Sequence, residues 1–251
     1  MVVVDGRDND IPASRDSRSL GTCGEMIEPP GYREQVIELA VFLFLILPPL
    51  ALSTLELRHA TLPFPLAATA TILDDLALVA LVLYFLWRNR EPLARIGLTG
   101  ERFPAEITIG LLLFLPLFAG AGLLGSGLSA LGIPASAATP SFLRYQGLSG
   151  AALALVLVLV VAIAEETIFR GYLILRLSAV TSRPWAAVIL SAAIFSVGHG
   201  YEGPAGIIIT GVVGMVYALI YLSRKSLVAP VVLHFLQDFT TILLLPLLGI
   251  H

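Results

Sequence analysis

The run Ala164-Glu165-Glu166-Thr167-Ile168-Phe169-Arg170 sets two carboxylates and a guanidinium inside a hydrophobic stretch that begins near Leu148. A charge at the centre of a bilayer costs about 3 kcal/mol or more, so three together point to a use. Adjacent helical residues lie about 100° apart, so Glu165 and Glu166 face different ways. Arg170, four residues after Glu166, shares its face and can pair with it. That leaves Glu165 as the unpaired carboxylate, and a desolvated carboxylate can take a proton from water. A buried Glu–Arg pair that locks helices together is the plainer account, but it explains one glutamate and not two.

Two later stretches add polar groups in equally apolar surroundings. Phe195-Ser196-Val197-Gly198-His199 places His199 one turn after Phe195, with Gly198 and Gly200 beside it. A lone histidine near a helix end is more often an interfacial hydrogen-bonding residue. His234 and Asp238 stand at i and i+4 and share a face. This spacing suits a carboxylate that orients an imidazole, two metal ligands, or two groups aimed at a developing oxyanion. Each motif has a structural reading by itself. Their conjunction on three apolar segments points to a hydrolytic site inside the membrane.

Membrane helices must position these groups. The chain of 251 residues is 57% hydrophobic and 13% charged, about half the charged fraction of a soluble domain. Its mean hydropathy is +0.90. A net charge of -3 argues against nucleic acid as a partner. The single cysteine, Cys23, excludes an intrachain disulfide and a cysteine metal cluster. Residues 1–33 are polar, lack an apolar period, and read as a disordered tail without signal-peptide character, with Met26 as a second possible start.

Beyond the tail, about seven stretches reach bilayer-spanning length, with eight as the alternative count. The expected spans are 35–56, 64–87, 106–131, 148–175, 184–200, 204–222 and 226–248. The chain is therefore expected to be all-α and polytopic, with front helices in 34–131 and the polar site in 148–248. A short surface helix is expected at 91–97. With a cytoplasmic N-terminus, twelve of the fifteen Lys and Arg fall on the inside. They are Arg7, Arg15, Arg18, Arg33, Arg88, Arg90, Arg95, Arg102, Arg176, Arg183, Arg224 and Lys225. This asymmetry predicts an integral plasma-membrane protein with its C-terminus external.

One difficulty concerns depth. His234 lies about 12 Å along the seventh span from its inner end and His199 about 22 Å along the fifth. A kinked fourth helix and a tilted fifth, or a fifth that starts outside the bilayer core, would bring them level. Asp74 and Asp75 lie midway along the second span.

Taken in order, Glu165-Glu166-x-x-x-Arg170, Phe195-x-x-x-His199 and His234-x-x-x-Asp238 resemble the three motifs of the CPBP intramembrane proteases. These are the CAAX prenyl endopeptidases and their bacteriocin-processing bacterial relatives, the Abi proteins. The resemblance covers about residues 148–245. It implies that Glu165 and His199 activate the attacking water, that His234 and Asp238 stabilise the oxyanion, and that Glu166, Arg170 and Phe195 support the site. An asparagine is common at the position of Asp238. Ionised aspartate cannot donate a hydrogen bond, so Asp238 is either protonated or serves as orienter or metal ligand. Family members are commonly described as metalloproteases, and Glu165, His199 and His234 would suit zinc or another divalent metal. A metal-independent glutamate mechanism is the other option, and the chain has no HExxH motif.

The expected activity is an intramembrane endopeptidase that cuts a membrane-associated or lipidated peptide or protein, with the lipid bilayer as its other partner. A non-catalytic immunity or scaffold protein is the first alternative, and a proton-coupled transporter using Asp74 and Asp75 the second. No internal symmetry of the transporter kind is visible.

Overall fold

The computed structural model describes residues 30–56, 62–100, 102–134 and 141–249. The seven main helices are α1 Tyr32–Glu56, α2 Phe64–Arg88, α3 Phe103–Ala130, α4 Gly147–Thr181, α5 Pro184–Gly198, α6 Gly203–Arg224 and α7 Val228–Leu247. Six are long and apolar enough to cross a membrane, while α5, with 15 residues, is apolar but shorter. The chain is an all-helical integral membrane protein. Helices suit this setting because lipid offers the backbone no hydrogen-bond partner. Large apolar side chains point outward, among them Phe44, Leu112, Leu115 and Leu123. On a soluble protein such a surface would be anomalous.

The expected spans and the observed helices agree to within a few residues at most ends. The largest difference is at the end of α4, which continues to Thr181 rather than stopping near residue 175. Helix α1 begins at Tyr32, so the last residues of the expected tail are helical. The rest of that tail up to residue 29, including Cys23 and Met26, lies outside the described residues. The surface helix expected at 91–97 is a 3-10 turn at Leu93–Ile96. Proline opens α2, α3, α5 and α6, where its missing N–H has no intrahelical acceptor to lose.

The length of α4 resolves the depth difficulty. At 35 residues it spans about 50 Å, well beyond a hydrocarbon core of about 30 Å. Gly171 marks where it meets the two connectors at one end of the bundle. A Cβ there would lie 3.1 Å from Ile96 and 3.5 Å from Leu227. The connectors are joined to each other, since the Leu227 N–H donates to the Gly97 carbonyl at 3.1 Å. Beyond Gly171, α4 runs about ten residues, roughly 15 Å, before α5 turns back. Helix α5 thus starts past the connector level, and its far end returns to the depth of His234.

Small residues let the helices approach closely. A Cβ on Gly110 of α3 would lie 2.7 Å from the Cβ of Val232 on α7 and 3.1 Å from the Ala229 carbonyl oxygen. Gly110→Ala is therefore expected to push α7 away and to cost about 1–3 kcal/mol. Thermal unfolding in detergent should fall for Gly110→Ala and hold for Gly122→Ala, whose Cβ would meet nothing within 4 Å.

Candidate active site

Helix α4 changes character where the glutamates stand. Gly147–Glu165 is α-helical, Glu166–Leu173 is π-helical, and Ile174–Thr181 is α-helical again. Helix α7 does the same, with a π-helical segment Phe239–Leu244 directly after Asp238. Such segments re-phase side chains around a helix and recur at functional sites. Here they also loosen backbone pairing, which neighbours make good. The Ser191 hydroxyl of α5 donates to the Phe169 carbonyl at 2.7 Å, and the Thr167 hydroxyl to the Ile163 carbonyl at 2.7 Å.

Glu166 is fully buried, and its Oε1 receives two donors. Arg170 Nη1 donates to it at 2.7 Å and His234 Nδ1 at 2.9 Å. The Glu166–Arg170 pair read from the spacing is thus present, and it also seats the imidazole of α7. Arg170 is held between rings, 4.2 Å from the Phe195 centroid and 5.3 Å from that of Tyr217. Its Nη2 donates to the Gly214 carbonyl at 3.5 Å. Gly214 permits that approach, since a Cβ there would lie 3.1 Å from the Phe195 ring and 3.3 Å from Arg170 Nη2. Tyr217 donates to Gln237 Oε1 at 2.9 Å and so ties α6 to α7 beside His234. Two acceptors and two rings fix the buried Arg170 charge, which would otherwise be costly.

His234 stands among three carboxylates. Besides the Glu166 bond, its Nε2 lies 3.6 Å from Glu165 Oε2 and 3.4 Å from Asp238 Oδ2. Both ring nitrogens face oxygen acceptors, an arrangement that suits N–H donation from each. Glu165 and Asp238 keep 21% and 23% of their side chains accessible, whereas Glu166 keeps none. The two partly accessible carboxylates can meet a substrate, and the third cannot. Glu165 Oε2 is buried without a hydrogen-bond partner.

His199 completes the group from the end of α5. Its Nδ1 lies 3.1 Å from the Phe195 carbonyl oxygen. A carbonyl only accepts, so Nδ1 carries the proton and Nε2 is left with a lone pair. The ring lies 4.6 Å from that of Phe195, which in turn lies 6.1 Å from the His234 ring. Glu165 is within electrostatic range of His199, His234, Asp238 and Arg170. All seven residues singled out by the three motifs therefore meet at one place.

Several partners were not evident from the sequence. Gly214, Tyr217 and Gln237 cradle the Arg170–His234 pair, and Tyr201 stacks 5.9 Å from His199. Glu202, which reads as a solvated turn residue, instead accepts from the Thr210 hydroxyl at 3.2 Å. Asp75 of α2 has a buried Oδ2 without a hydrogen-bond partner.

The metal option fits less well. Among the described residues, no three His, Cys, Asp or Glu side chains form a metal-holding set. Glu165, His199 and His234 do not stand as the expected triad of ligands. His234 spends Nδ1 on Glu166 and turns Nε2 to two carboxylates directly. No reaction step below is routed through a metal.

Residues 147–240 match a family model described as Type II CAAX prenyl endopeptidase Rce1-like. No curated protein and no solved structure matches the chain. The match begins with α4, ends just past Asp238, and takes in every residue of the cluster. Over residues 147–240 this chain is therefore similar to the Rce1-like type II CAAX prenyl endopeptidases.

Proposed function

We propose that the protein is an intramembrane endopeptidase that cuts a peptide held at the bilayer, and that Glu165 is its base. The unpartnered, partly accessible carboxylate of Glu165 beside two imidazoles carries this reading. Glu165 takes a proton from water while His199, through Nε2, accepts a hydrogen bond from the other O–H, which stays on the water. The hydroxide adds to the scissile carbonyl carbon. The oxyanion is met by N–H donation from His234, which Glu166 holds from the opposite side of the ring. On collapse the C–N bond breaks, and the proton on Glu165 passes to the leaving amine. Products are one carboxylic acid and one amine.

Asp238 acts here as an orienter that accepts from the His234 Nε2–H until the oxyanion takes its place, rather than as an oxyanion donor. Its contact with Nε2 at 3.4 Å supports an acceptor role. Depth in an apolar bundle favours substrates with a lipid or an apolar segment next to the cut. The proposed orientation places the N-terminus and the connectors of Gly97 and Leu227 in the cytoplasm. It rests on Arg88, Arg90, Arg95, Arg102, Arg183 and Arg224 at that end.

The test uses the full chain in lipid nanodiscs and two internally quenched peptides, one with a prenylated cysteine and one with an apolar membrane segment. Cleavage of either, lost in His199→Ala, is the expected result. Cleavage that survives in His199→Ala, or none by the wild type, overturns the reading. Chelation should leave the rate unchanged, and a loss restored only by zinc would replace the metal-free mechanism.

A further inference from the structure

The imidazole of His199 is fastened by a hydrogen bond to its own helix, Nδ1 to the Phe195 carbonyl at 3.1 Å. That bond anchors one ring nitrogen and leaves the ring plane to be set by its neighbours. Two rings set it. Phe195 lies 4.6 Å away at 52°, and Tyr201 lies 5.9 Å away at 33°. Tyr201 stands in the 3-10 turn Gly200–Glu202 that joins α5 to α6. A ring on so short a turn needs support from another element. Phe142 gives it, meeting Tyr201 edge-on at 5.6 Å and 77°. Aromatic rings favour such an edge-to-face arrangement over others, so the contact carries a direction as well as an area.

Phe142 is buried, and it belongs to the connector between α3 and α4, in the 3-10 turn Ser141–Leu143. It lies outside the matched segment. The connector is held to the catalytic helices on both sides of Phe142. The Tyr145 hydroxyl donates to the Leu243 carbonyl at 3.2 Å, within the π-helical segment of α7. The Ala205 N–H of α6 donates to the Pro134 carbonyl at 3.4 Å. The Tyr145 ring also lies 6.3 Å from that of Phe64 at the start of α2. The Phe142 ring is thus placed by α2, α6 and α7 together.

We propose that Phe142 is a positioning residue of the active centre: through Tyr201 it sets the plane of the His199 ring and so the direction of Nε2. This rests on the assignment of His199 to the attacking water. It makes the α3–α4 connector part of the site rather than a link between two halves. A ring free to tilt would accept from the water in several poses. Misplacement of such a group costs up to about 100-fold in rate.

The full chain in nanodiscs and the quenched peptide that the wild type cleaves provide the test. Phe142→Leu keeps most of the volume and removes the ring edge, so kcat should fall about 10-fold with KM within about twofold. Phe142→Tyr keeps the ring and should recover kcat to within about threefold of wild type. Tyr201→Leu should lose at least as much as Phe142→Leu. The double variant should lose no more than Tyr201→Leu, because Phe142 acts through that ring. Full kcat in Phe142→Leu, or losses that multiply in the double variant, overturn the proposal. Unfolding of Phe142→Leu at the assay temperature would assign Phe142 to stability and overturn it as well. A readout free of catalysis accompanies the rates. With ¹³C-labelled histidine, the His199 ring signal, identified by its loss in His199→Ala, should shift in Phe142→Leu and return in Phe142→Tyr. An unmoved signal in Phe142→Leu overturns the proposal. If His199→Ala still cleaves, the assignment of His199 to the water fails instead, and the ring signal alone decides whether Phe142 positions it.

Discussion

Replacing Glu165 by glutamine should lower peptide hydrolysis by about 10²- to 10⁴-fold, the usual contribution of a general base, while the protein folds as before. The substitution keeps shape and volume and removes only the basic oxygen. Glu165 makes no hydrogen bond through Oε2 and no ion pair shorter than its 3.6 Å approach to His234. Nothing is left stranded when its charge goes. Glu166→Gln is the informative contrast. Glu166 Oε1 serves both Arg170 and His234, in full burial. Removing that charge leaves the Arg170 guanidinium uncompensated, a loss of about 3–5 kcal/mol, and also frees the imidazole. Activity should vanish in both variants, but unfolding temperature should fall only in Glu166→Gln. The check is a quenched-peptide rate and a thermal unfolding curve on the same preparations. Undiminished hydrolysis in purified Glu165→Gln would remove the mechanism, because that mechanism takes the water proton on Glu165.

The legibility of this site follows from how its residues are spaced. Glu166 and Arg170, or His234 and Asp238, are one turn apart, so helical geometry alone brings them together. The same spacing joins Phe195 to His199. What joins α4, α5 and α7 is a tertiary fact, and only motif order hinted at it. Asp75 illustrates the limit. It lies about 90 residues before Glu165, in a stretch whose apolar period says nothing about which neighbour it will face. As an ionisable group within a span it was visible, but the burial of its Oδ2 was not. Gly214 and Tyr217 were hidden for another reason. Glycine and tyrosine are ordinary in a membrane helix, and only the ring above Arg170 shows their use. The short α5 could be read as a full span because composition does not reveal that α4 overshoots the connectors.

Arg176 gives the largest expected effect on folding, and burial is the reason. It reads as one more inner-face arginine, yet it is fully buried. It donates through two nitrogens to Glu91 of the connector and lies 3.1 Å from Glu38 of α1. Its guanidinium also sits 5.2 Å from the Tyr172 ring, which is stacked against Phe85 and tilted against Phe42. One cation thus joins α1, the connector after α2, and α4, the helix that carries Glu165. Glu38 and Glu91 are themselves buried, with Arg88 and Arg95 reaching them from the partly exposed edge. Arg176→Met keeps the side-chain length and leaves two buried carboxylates short of their shared cation, so about 3–5 kcal/mol should be lost. Arg88→Met removes a side chain that is 44% accessible, and water can take over its role. That change should cost about 1 kcal/mol or less. Unfolding midpoints of both variants in the same detergent decide the matter, and equal losses would contradict the burial argument. A partial recovery in Arg176→Met/Glu91→Gln would show that the penalty lies in the stranded carboxylate, since two sites in contact should not add. The front half of the chain is then held to α4 by a buried charge cluster of Arg176, Glu38 and Glu91.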